Sequence, residues 1–217
     1  QVYPYLRSLQ PEIICSKMIK LCGIGESAAE TKILDLINGQ QNPTVAPYAK
    51  TGEVHLRITA KAEDEKAAFS LIAPVEEELK RRFGDCVYTD DPLVTLEQAV
   101  ARLLEEHRLT VATAESCTGG LLAGRLVNVP GISGSLKEGY ITYSNEAKEK
   151  LLGVSHGTLT AYGAVSPQTA AEMAKGGAEA AGADICISVT GIAGPGGGTE
   201  EKPVGLVYTG CYCKGNV

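Results

Sequence analysis

No apolar run in this chain of 217 residues approaches the roughly 20 residues that a helix needs to cross a bilayer. The longest apolar runs, residues 185–189 and 204–208, are far shorter, and no basic segment leads an apolar stretch near the first residue. We therefore expect a protein that is not associated with a membrane. With 44% hydrophobic residues, the chain can still form one or two compact domains with cores of their own.

The sequence also lacks a concentration of positive charge. It has 20 basic and 26 acidic residues, for a net charge of -6, and the basic residues form no long block. Binding to nucleic acid depends on local positive potential. The composition therefore argues against nucleic acid as a partner.

Metal-binding and disulfide patterns are missing as well. The 3 histidines lie far apart, and neither His-Glu-x-x-His nor a Cys/His zinc spacing occurs. The 7 cysteines are an odd number without a Cys-x-x-Cys pair, so we interpret them as reduced, mostly buried thiols of a cytosolic protein. We expect no metal and no other cofactor. Hydrolysis would then need a serine whose base is a lysine or a tyrosine.

Two patterns of secondary structure divide the chain. Between about residues 24 and 91 the pattern predicts an α+β unit. From residue 93 strands alternate with helices, which predicts an open α/β sheet with helices on its faces. In the first part we predict a helix at 27–37 begun by a Ser27/Glu30 capping box, a loop, a strand at 54–60, a helix at 65–83 and a strand at 86–89. In the second part we predict strands at 110–114, 140–143, 185–190 and 204–212, and helices at 96–107, 118–128, 146–152 and 167–181.

Ser116 is a candidate nucleophile. It lies where a predicted strand ends and a helix begins, which would place its hydroxyl at the carboxyl edge of the sheet beside free backbone N–H groups. Acyl transfer needs such a nucleophile next to donors for an oxyanion, and Gly119 and Gly120 let the backbone approach a ligand closely. Two alternatives stay open: Ser116 or Thr118 only caps the helix, or Cys117 is the nucleophile, although it has no histidine nearby in sequence.

Lys148 is a candidate base. If Ser144 or Asn145 caps the next helix, Lys148 lies in its first turn, where the positive end of the helix dipole and any burial both disfavour the charged ammonium. Such a lysine could accept a proton near neutral pH. The alternative is a solvated lysine that pairs along the helix with Glu146 or Glu149.

Two further features follow predicted strands. Tyr143 could relay a proton or simply pack. The segment TGIAGPGGG at residues 190–198 could present successive N–H groups to a phosphate or a carboxamide. It matches neither the Walker pattern nor the dinucleotide fingerprint, and a plain flexible loop explains it equally well. We interpret the charged residues 199–203 as a solvated turn.

Four segments together resemble the C-terminal domain of the CinA family: AESCTGG at 114–120, GYITYSNEAK at 139–148, GAVS at 163–166 and GIAGP at 191–195. The resemblance covers residues 93–217. It implies a three-layer α/β/α domain that hydrolyses nicotinamide mononucleotide to nicotinate mononucleotide and ammonia, as an amidase of pyridine nucleotide recycling. It also implies that Ser116 is the nucleophile and that Tyr143 and Lys148 handle its proton, in an arrangement analogous to serine β-lactamases.

The resemblance extends to the rest of the chain. Residues 22–92 are similar to the small α+β KH-type domain of full-length family members, and residues 1–21 would be the tail of a preceding molybdopterin-binding-like domain or a linker. We expect the final helix of the family domain to be missing after residue 217. We assign substrate binding to Thr118, Gly119, Gly120, Thr190, Gly191, Ile192, Ala193 and Gly194.

We expect a cytoplasmic homodimer that acts on a small nucleotide. The alternative is a non-catalytic adaptor that binds a nucleotide or nucleic acid and is linked to competence or DNA damage. The KH-type unit favours this alternative, but it offers Gly23 and Gly25 in a Gly-Ile-Gly sequence where nucleic-acid-binding KH domains have a Gly-x-x-Gly clamp.

Overall fold

The computed structural model describes residues 12–217. The chain divides into two compact units after Ala99, slightly beyond the predicted boundary at residue 92. Each unit has its own four-stranded sheet. Among the described residues, no helix has both the length and the apolar character that a membrane span requires.

The first unit is an antiparallel sheet in the order β2-β3-β1-β4. Its helices contribute Ala29, Ile72 and Leu79 to one core with Leu21 and Leu56 of the sheet. The elements are β1 (Ile13–Cys22), α1 (Glu26–Lys32), α2 (Leu34–Gly39), β2 (Thr44–Lys50), β3 (Glu53–Ala62), α3 (Glu65–Phe83) and β4 (Val87–Thr89).

The predicted start of this unit at residue 22 is wrong. Residues 13–21 are not a linker, because β1 is paired with β3 on one side and β4 on the other. Lys17 and Lys20 interrupt the apolar pattern that would have indicated a strand in the sequence. Buried Lys20 is tolerated because its amine donates to the carbonyls of Pro92 and Val94, each at 2.8 Å. Residues 1–11 of the predicted linker lie outside the described residues.

Two further predictions for this unit differ from the structure. The capping box is absent, since α1 begins at Glu26 after Gly25, which provides no side-chain cap, and the helix is interrupted at Ile33. Strand β2 lies in the segment predicted as a loop, where it pairs with β3 from Thr44 to Lys50.

The second unit is the predicted three-layer α/β/α domain. Its sheet has the order β6-β5-β7-β8, in which β5, β6 and β7 are parallel and β8 is antiparallel. The elements are α4 (Leu96–Glu106, which spans the division between the units), β5 (Val111–Glu115), α5 (Leu121–Val127), β6 (Leu136–Ile141), α6 (Asn145–Leu152), α7 (His156–Tyr162), α8 (Pro167–Ala181), β7 (Ile185–Gly191) and β8 (Val207–Cys213).

Strand β5 is buried along its whole length and separates two cores. Val111 packs with Leu104 and Leu126 on the α4/α5 face, whereas Ala112 and Ala114 pack on the opposite face with the cluster contributed by α6, α7 and α8. This alternation is that of a central strand covered on both sides. Because β5 lies between β6 and β7, the residues that follow it are enclosed by both neighbours.

The sequence prediction is confirmed most closely for the long helices. The helices at 65–83 and 167–181 have the predicted bounds, and Ser166 caps the latter. Helix α7 was not predicted, and α5 begins at Leu121, later than the predicted residue 118. The later start of α5 has a local cause, because the Glu115 carboxylate accepts hydrogen bonds from the backbone N–H groups of Gly120, Leu122 and Ala123.

The glycines of α8 explain how it packs against α6. A Cβ at Gly176 would lie 1.7 Å from the carbonyl oxygen of Leu152, whereas a Cβ at Gly124 in α5 would meet no atom within 4 Å. We expect Gly176→Ala to lower the free energy of unfolding by about 2 kcal/mol or more, because the backbone at Leu152 must move to make room for the added methyl group. The matched control, Gly124→Ala, should change stability little or raise it by roughly 0.5–1 kcal/mol. Thermal denaturation of both variants tests this, and equal melting temperatures would contradict the close packing.

Candidate active site

Ser116 lies at the carboxyl edge of the sheet, directly after β5. It is 7% exposed, and its N–H donates to the carbonyl of Val189 in β7 at 2.9 Å. On the other side, the N–H of Thr142, directly after β6, donates to the carbonyl of Glu115 at 2.8 Å. The ends of all three parallel strands are thus joined at Ser116, which lies at the predicted carboxyl edge of the sheet.

Lys148 reaches Ser116 from α6. Its Nζ lies 3.0 Å from Ser116 Oγ, 2.8 Å from the carbonyl oxygen of Thr142 and 3.1 Å from that of Tyr143. The side chain is completely buried. Ser144 caps α6 by accepting from the N–H of Ala147, which places Lys148 in the first turn as predicted.

The surroundings of Lys148 shift its protonation equilibrium toward the neutral amine. Burial lowers the pKa of Lys148 below its ordinary value, and the charges of Cys117 and Glu146 offset only part of this effect. Within residues 12–217, no carboxylate forms an ion pair with the amine, so the alternative pairing with Glu146 or Glu149 is not observed.

The hydrogen-bond partners define where a proton can go. A neutral amine has two N–H groups and one lone pair, whereas an ammonium has three N–H groups and no acceptor. The carbonyls of Thr142 and Tyr143 can only accept, so they take the two N–H groups of the neutral form. In the ammonium form the third N–H donates to Ser116 Oγ. In the neutral amine the lone pair takes that place, so the hydroxyl of Ser116 can donate its proton to Lys148.

Glu115 anchors the turn that presents Ser116. This fully buried carboxylate accepts hydrogen bonds from the N–H groups of Gly120, Leu122 and Ala123 at 3.1, 3.0 and 2.9 Å. Burial alone would raise the pKa of Glu115, but these donors at the start of α5 lower it below its ordinary value. Sequence reasoning missed this role, although an acidic residue between a buried strand and a helix is a detectable signal.

Of the three predicted ligand residues in this turn, Thr118, Gly119 and Gly120, only Thr118 keeps a free N–H group among the described residues. The N–H of Gly119 donates to the carbonyl of Ser116, and that of Gly120 is bound by Glu115, so neither is free for a ligand. Among the described residues, the N–H groups of Cys117 and Thr118 have no partner. The hydroxyl of Thr118 is buried next to Glu115, whose pKa it helps to lower. Cys117 and Thr118 are therefore the local donors that could hold an oxyanion.

The capping alternative for Ser116 is wrong. The N-cap of α5 is Gly120, in a left-handed conformation with φ of 100°, and it receives no side-chain cap. Neither Ser116 nor Thr118 therefore caps this helix. The hydroxyl of Ser116 instead contacts the amine of Lys148, and no hydrogen bond joins that amine to Cys117 in the described part of the chain.

Tyr143 differs from its predicted role. Its side chain is 76% exposed, and its phenol forms no hydrogen bond with any residue between 12 and 217. The contribution of Tyr143 to the site is its backbone carbonyl, which accepts from Lys148. The structure therefore brings together Ser116 and Lys148 but not the phenol.

The glycine-rich segment forms a close-packed hairpin after β7. A Cβ at Gly191 would lie 2.7 Å from the carbonyl oxygen of Leu206, and Ile192 donates its N–H to that oxygen at 2.9 Å. Such contacts require glycine for packing, which a plain flexible loop would not. Of the predicted ligand residues here, Ala193 and Gly194 have backbone N–H groups without a partner among the residues described.

Thr190, near the end of β7, is hydrogen-bonded to the segment that precedes α8. Its Oγ1 donates to the carbonyl of Ala164 at 2.8 Å, so its hydroxyl proton is already used within the protein. This bond ties the end of β7 to residues 163–166, the GAVS segment, in which Ser166 caps α8.

These features define an α/β/α domain with a serine–lysine pair at the carboxyl edge of its sheet. The family described as "CinA C-terminal domain" matches residues 93–217, and "Damage-inducible protein CinA KH domain" matches residues 16–89. The chain belongs to the CinA family. The second match begins within β1, in agreement with the corrected start of the first unit.

The curated relatives are nearly twice as long as this chain. It is 57% identical over 216 residues to the "Putative competence-damage inducible protein" of Clostridium acetobutylicum, and 58% identical over 214 residues to the protein of the same name from Clostridium novyi. These matches cover 100% and 99% of this chain but only 52% and 51% of the relatives. The chain therefore spans about half the length of the curated relatives it matches.

Solved structures of the family are similar to part of the chain. A competence/damage inducible protein from Agrobacterium tumefaciens is 48% identical with a TM-score of 0.54. The match covers 55% of this chain and 72% of the Agrobacterium chain. A competence-damaged protein (CinA) superfamily protein from Escherichia coli is 41% identical with a TM-score of 0.53, and it covers 56% of this chain and 72% of its own.

The role of Glu115 can be tested by stability. Glu115→Gln would turn an N–H donor toward N–H donors, and we expect the free energy of unfolding to fall by about 1–3 kcal/mol. The exposed Glu106, at the end of α4, provides the control Glu106→Gln, which should have little effect. Chemical denaturation at neutral pH measures both, and equal effects would contradict the anchoring role.

The same variant has a predicted pH dependence. Because the pKa of Glu115 is lowered in the folded state, its charge contributes stability above the ordinary pKa of 4.5, and this contribution is lost as pH falls through the lowered value. The stability difference between the wild-type protein and Glu115→Gln should therefore shrink below pH 4.5. A difference that stayed constant in acid would show that the carboxylate charge is not what holds the turn.

Proposed function

We propose that the second unit is a serine amidohydrolase that deamidates nicotinamide mononucleotide to nicotinate mononucleotide and ammonia. The observation that carries the proposal is the 3.0 Å hydrogen bond between Ser116 Oγ and the buried Nζ of Lys148. The substrate is inferred from the resemblance of the site motifs to those of the CinA domain. The names of the relatives support family membership and do not specify this reaction.

The acylation step uses the groups already described. Lys148 accepts the proton of Ser116 as Oγ forms a bond to the carboxamide carbon. The negative oxygen of the tetrahedral intermediate is held by the N–H groups of Cys117 and Thr118, and oxyanion donors of this kind contribute roughly 3–4 kcal/mol each. Lys148 then returns the proton to the leaving nitrogen, so that ammonia departs and the acyl group remains on Ser116.

Deacylation repeats the proton transfers with water. Lys148 removes a proton from the water that attacks the ester, and the proton is given back to Ser116 Oγ as nicotinate mononucleotide leaves. The carbonyls of Thr142 and Tyr143 hold the amine in place through both steps. Because these carbonyls belong to the backbone that follows β6, the position of the base is fixed by the fold.

Substitution of the pair is the direct test. We expect Ser116→Ala and Lys148→Met to reduce ammonia release from nicotinamide mononucleotide by on the order of 10³-fold or more, because the nucleophile or its base is lost. Tyr143→Phe is the matched control and should retain turnover, because the contact of Tyr143 with Lys148 is made by its backbone. The measurement is a steady-state ammonia assay with the full chain.

Binding separates the enzyme from a non-catalytic nucleotide-binding protein. Ser116→Ala should still bind nicotinamide mononucleotide in calorimetry, because the hydroxyl removed is small and the fold is unchanged. Wild-type protein that binds the nucleotide and releases no ammonia would contradict the proposed function and favour the adaptor alternative. Unchanged turnover in Ser116→Ala would refute the assignment of the nucleophile.

A further inference from the structure

We propose that Lys202 binds the phosphate group of the mononucleotide and so makes the site selective for a phosphorylated substrate over the corresponding riboside. This inference rests on the proposed function, because it assigns the part of the substrate that does not react. Lys202 lies in the loop between β7 and β8, in a segment that the sequence alone indicated to be a solvated turn.

Residues 199–203 form the predicted turn and are exposed except at Lys202, which is held on both backbone and side chain. Its N–H donates to Thr199 Oγ1 at 3.0 Å, and its carbonyl accepts from the N–H of Thr199 at 2.8 Å. Its Nζ donates to the carbonyl of Tyr162 at 2.7 Å, at the end of α7. The side chain is consequently only partly exposed and has a defined position.

A short series of contacts connects Lys202 with Ser116. The N–H of Ser116 is bound to the carbonyl of Val189, and the next residue, Thr190, donates its hydroxyl to the carbonyl of Ala164. Ala164 follows Gly163, at which a Cβ would lie 3.4 Å from the Nζ of Lys202. The amine therefore lies on the same edge of the sheet as the nucleophile, beyond Thr190.

Four other cations of this unit lie elsewhere. Lys137 lies at the start of the parallel strand β6, and Lys214 follows the end of the antiparallel strand β8. Both are therefore at the opposite edge of the sheet. Arg125 is in the last turn of α5, which runs away from the site. Lys150 follows Lys148 by two residues on α6, so it projects from a different side of the helix.

Lys202 also has unused capacity to bind an anion. An ammonium has three N–H groups, and only one is used, by Tyr162. Among residues 12–217, no carboxylate forms an ion pair with it. The N–H groups of Gly196, Gly197 and Gly198 in the same loop likewise have no partner in the described chain. An ammonium and free N–H groups in one loop are the kinds of donor that bind a phosphate dianion.

The competing explanation is purely structural. A cation at the end of a helix stabilises its last carbonyls, so Lys202 would act on α7 alone. A structural role would lower stability and affect every substrate equally. A phosphate contact would affect only substrates that carry phosphate.

The test compares nicotinamide mononucleotide with nicotinamide riboside. For Lys202→Met we expect kcat/KM for the mononucleotide to fall about 10–100-fold, mainly through KM, because one charge-assisted hydrogen bond is lost. The kcat/KM for the riboside should stay unchanged. Lys175→Met, at an exposed lysine of α8, is the matched control and should alter neither substrate. Equal losses for both substrates, or no loss for the mononucleotide, would overturn the inference.

A binding measurement separates this inference from the proposed function. Calorimetry on Ser116→Ala, with and without Lys202→Met, gives affinities for the mononucleotide and the riboside without turnover. Mononucleotide affinity that depends on Lys202, in a wild-type protein that releases no ammonia, would support the phosphate contact and refute the amidohydrolase. Ammonia release together with a mononucleotide affinity that does not depend on Lys202 would support the amidohydrolase and refute the phosphate contact.

Discussion

The site depends on one constraint, a buried lysine amine that pairs with no carboxylate of residues 12–217. Lys148 is enclosed completely, and its polar neighbours are two backbone carbonyls and the hydroxyl of Ser116. Enclosure disfavours the ammonium, and the carbonyls determine which way the lone pair points. An ordinary serine hydroxyl thereby gains a base, without the histidine that the more familiar triads use.

The fold supplies the geometry through backbone rather than through side chains. The residues that flank Ser116 are tied to the strands on both sides, and Glu115 binds the N–H groups at the start of α5. That carboxylate binds the N–H of Gly120, which sequence reasoning assigned to the substrate, while the N–H of Gly119 donates to the carbonyl of Ser116. As a result, the free N–H groups belong to Cys117 and Thr118, immediately after the nucleophile, where an oxyanion formed on its substrate would lie.

Sequence patterns predicted the parts of this structure that local rules determine. Long helices with clear start and stop signals, such as α8 with Ser166 and Pro167, had the correct bounds. The first-turn position of Lys148 and the strand-end position of Ser116 also followed from capping and periodicity. What could not be predicted depends on distant partners. Lys20 is buried in β1 because carbonyls more than 70 residues away accept hydrogen bonds from its amine. The exposure of Tyr143 is set by tertiary packing.

The state of the Lys148 amine is the most direct test of this account. Nuclear magnetic resonance of protein with isotope-labelled lysine, with Lys148→Met to assign the signal, reports the titration of this one group. The account predicts a pKa for Lys148 below the ordinary 10.5, so that a larger fraction of neutral amine is present near neutral pH than in an exposed lysine. A pKa at or above 10.5 would contradict it, because Lys148 would then hold its proton and could not accept that of Ser116.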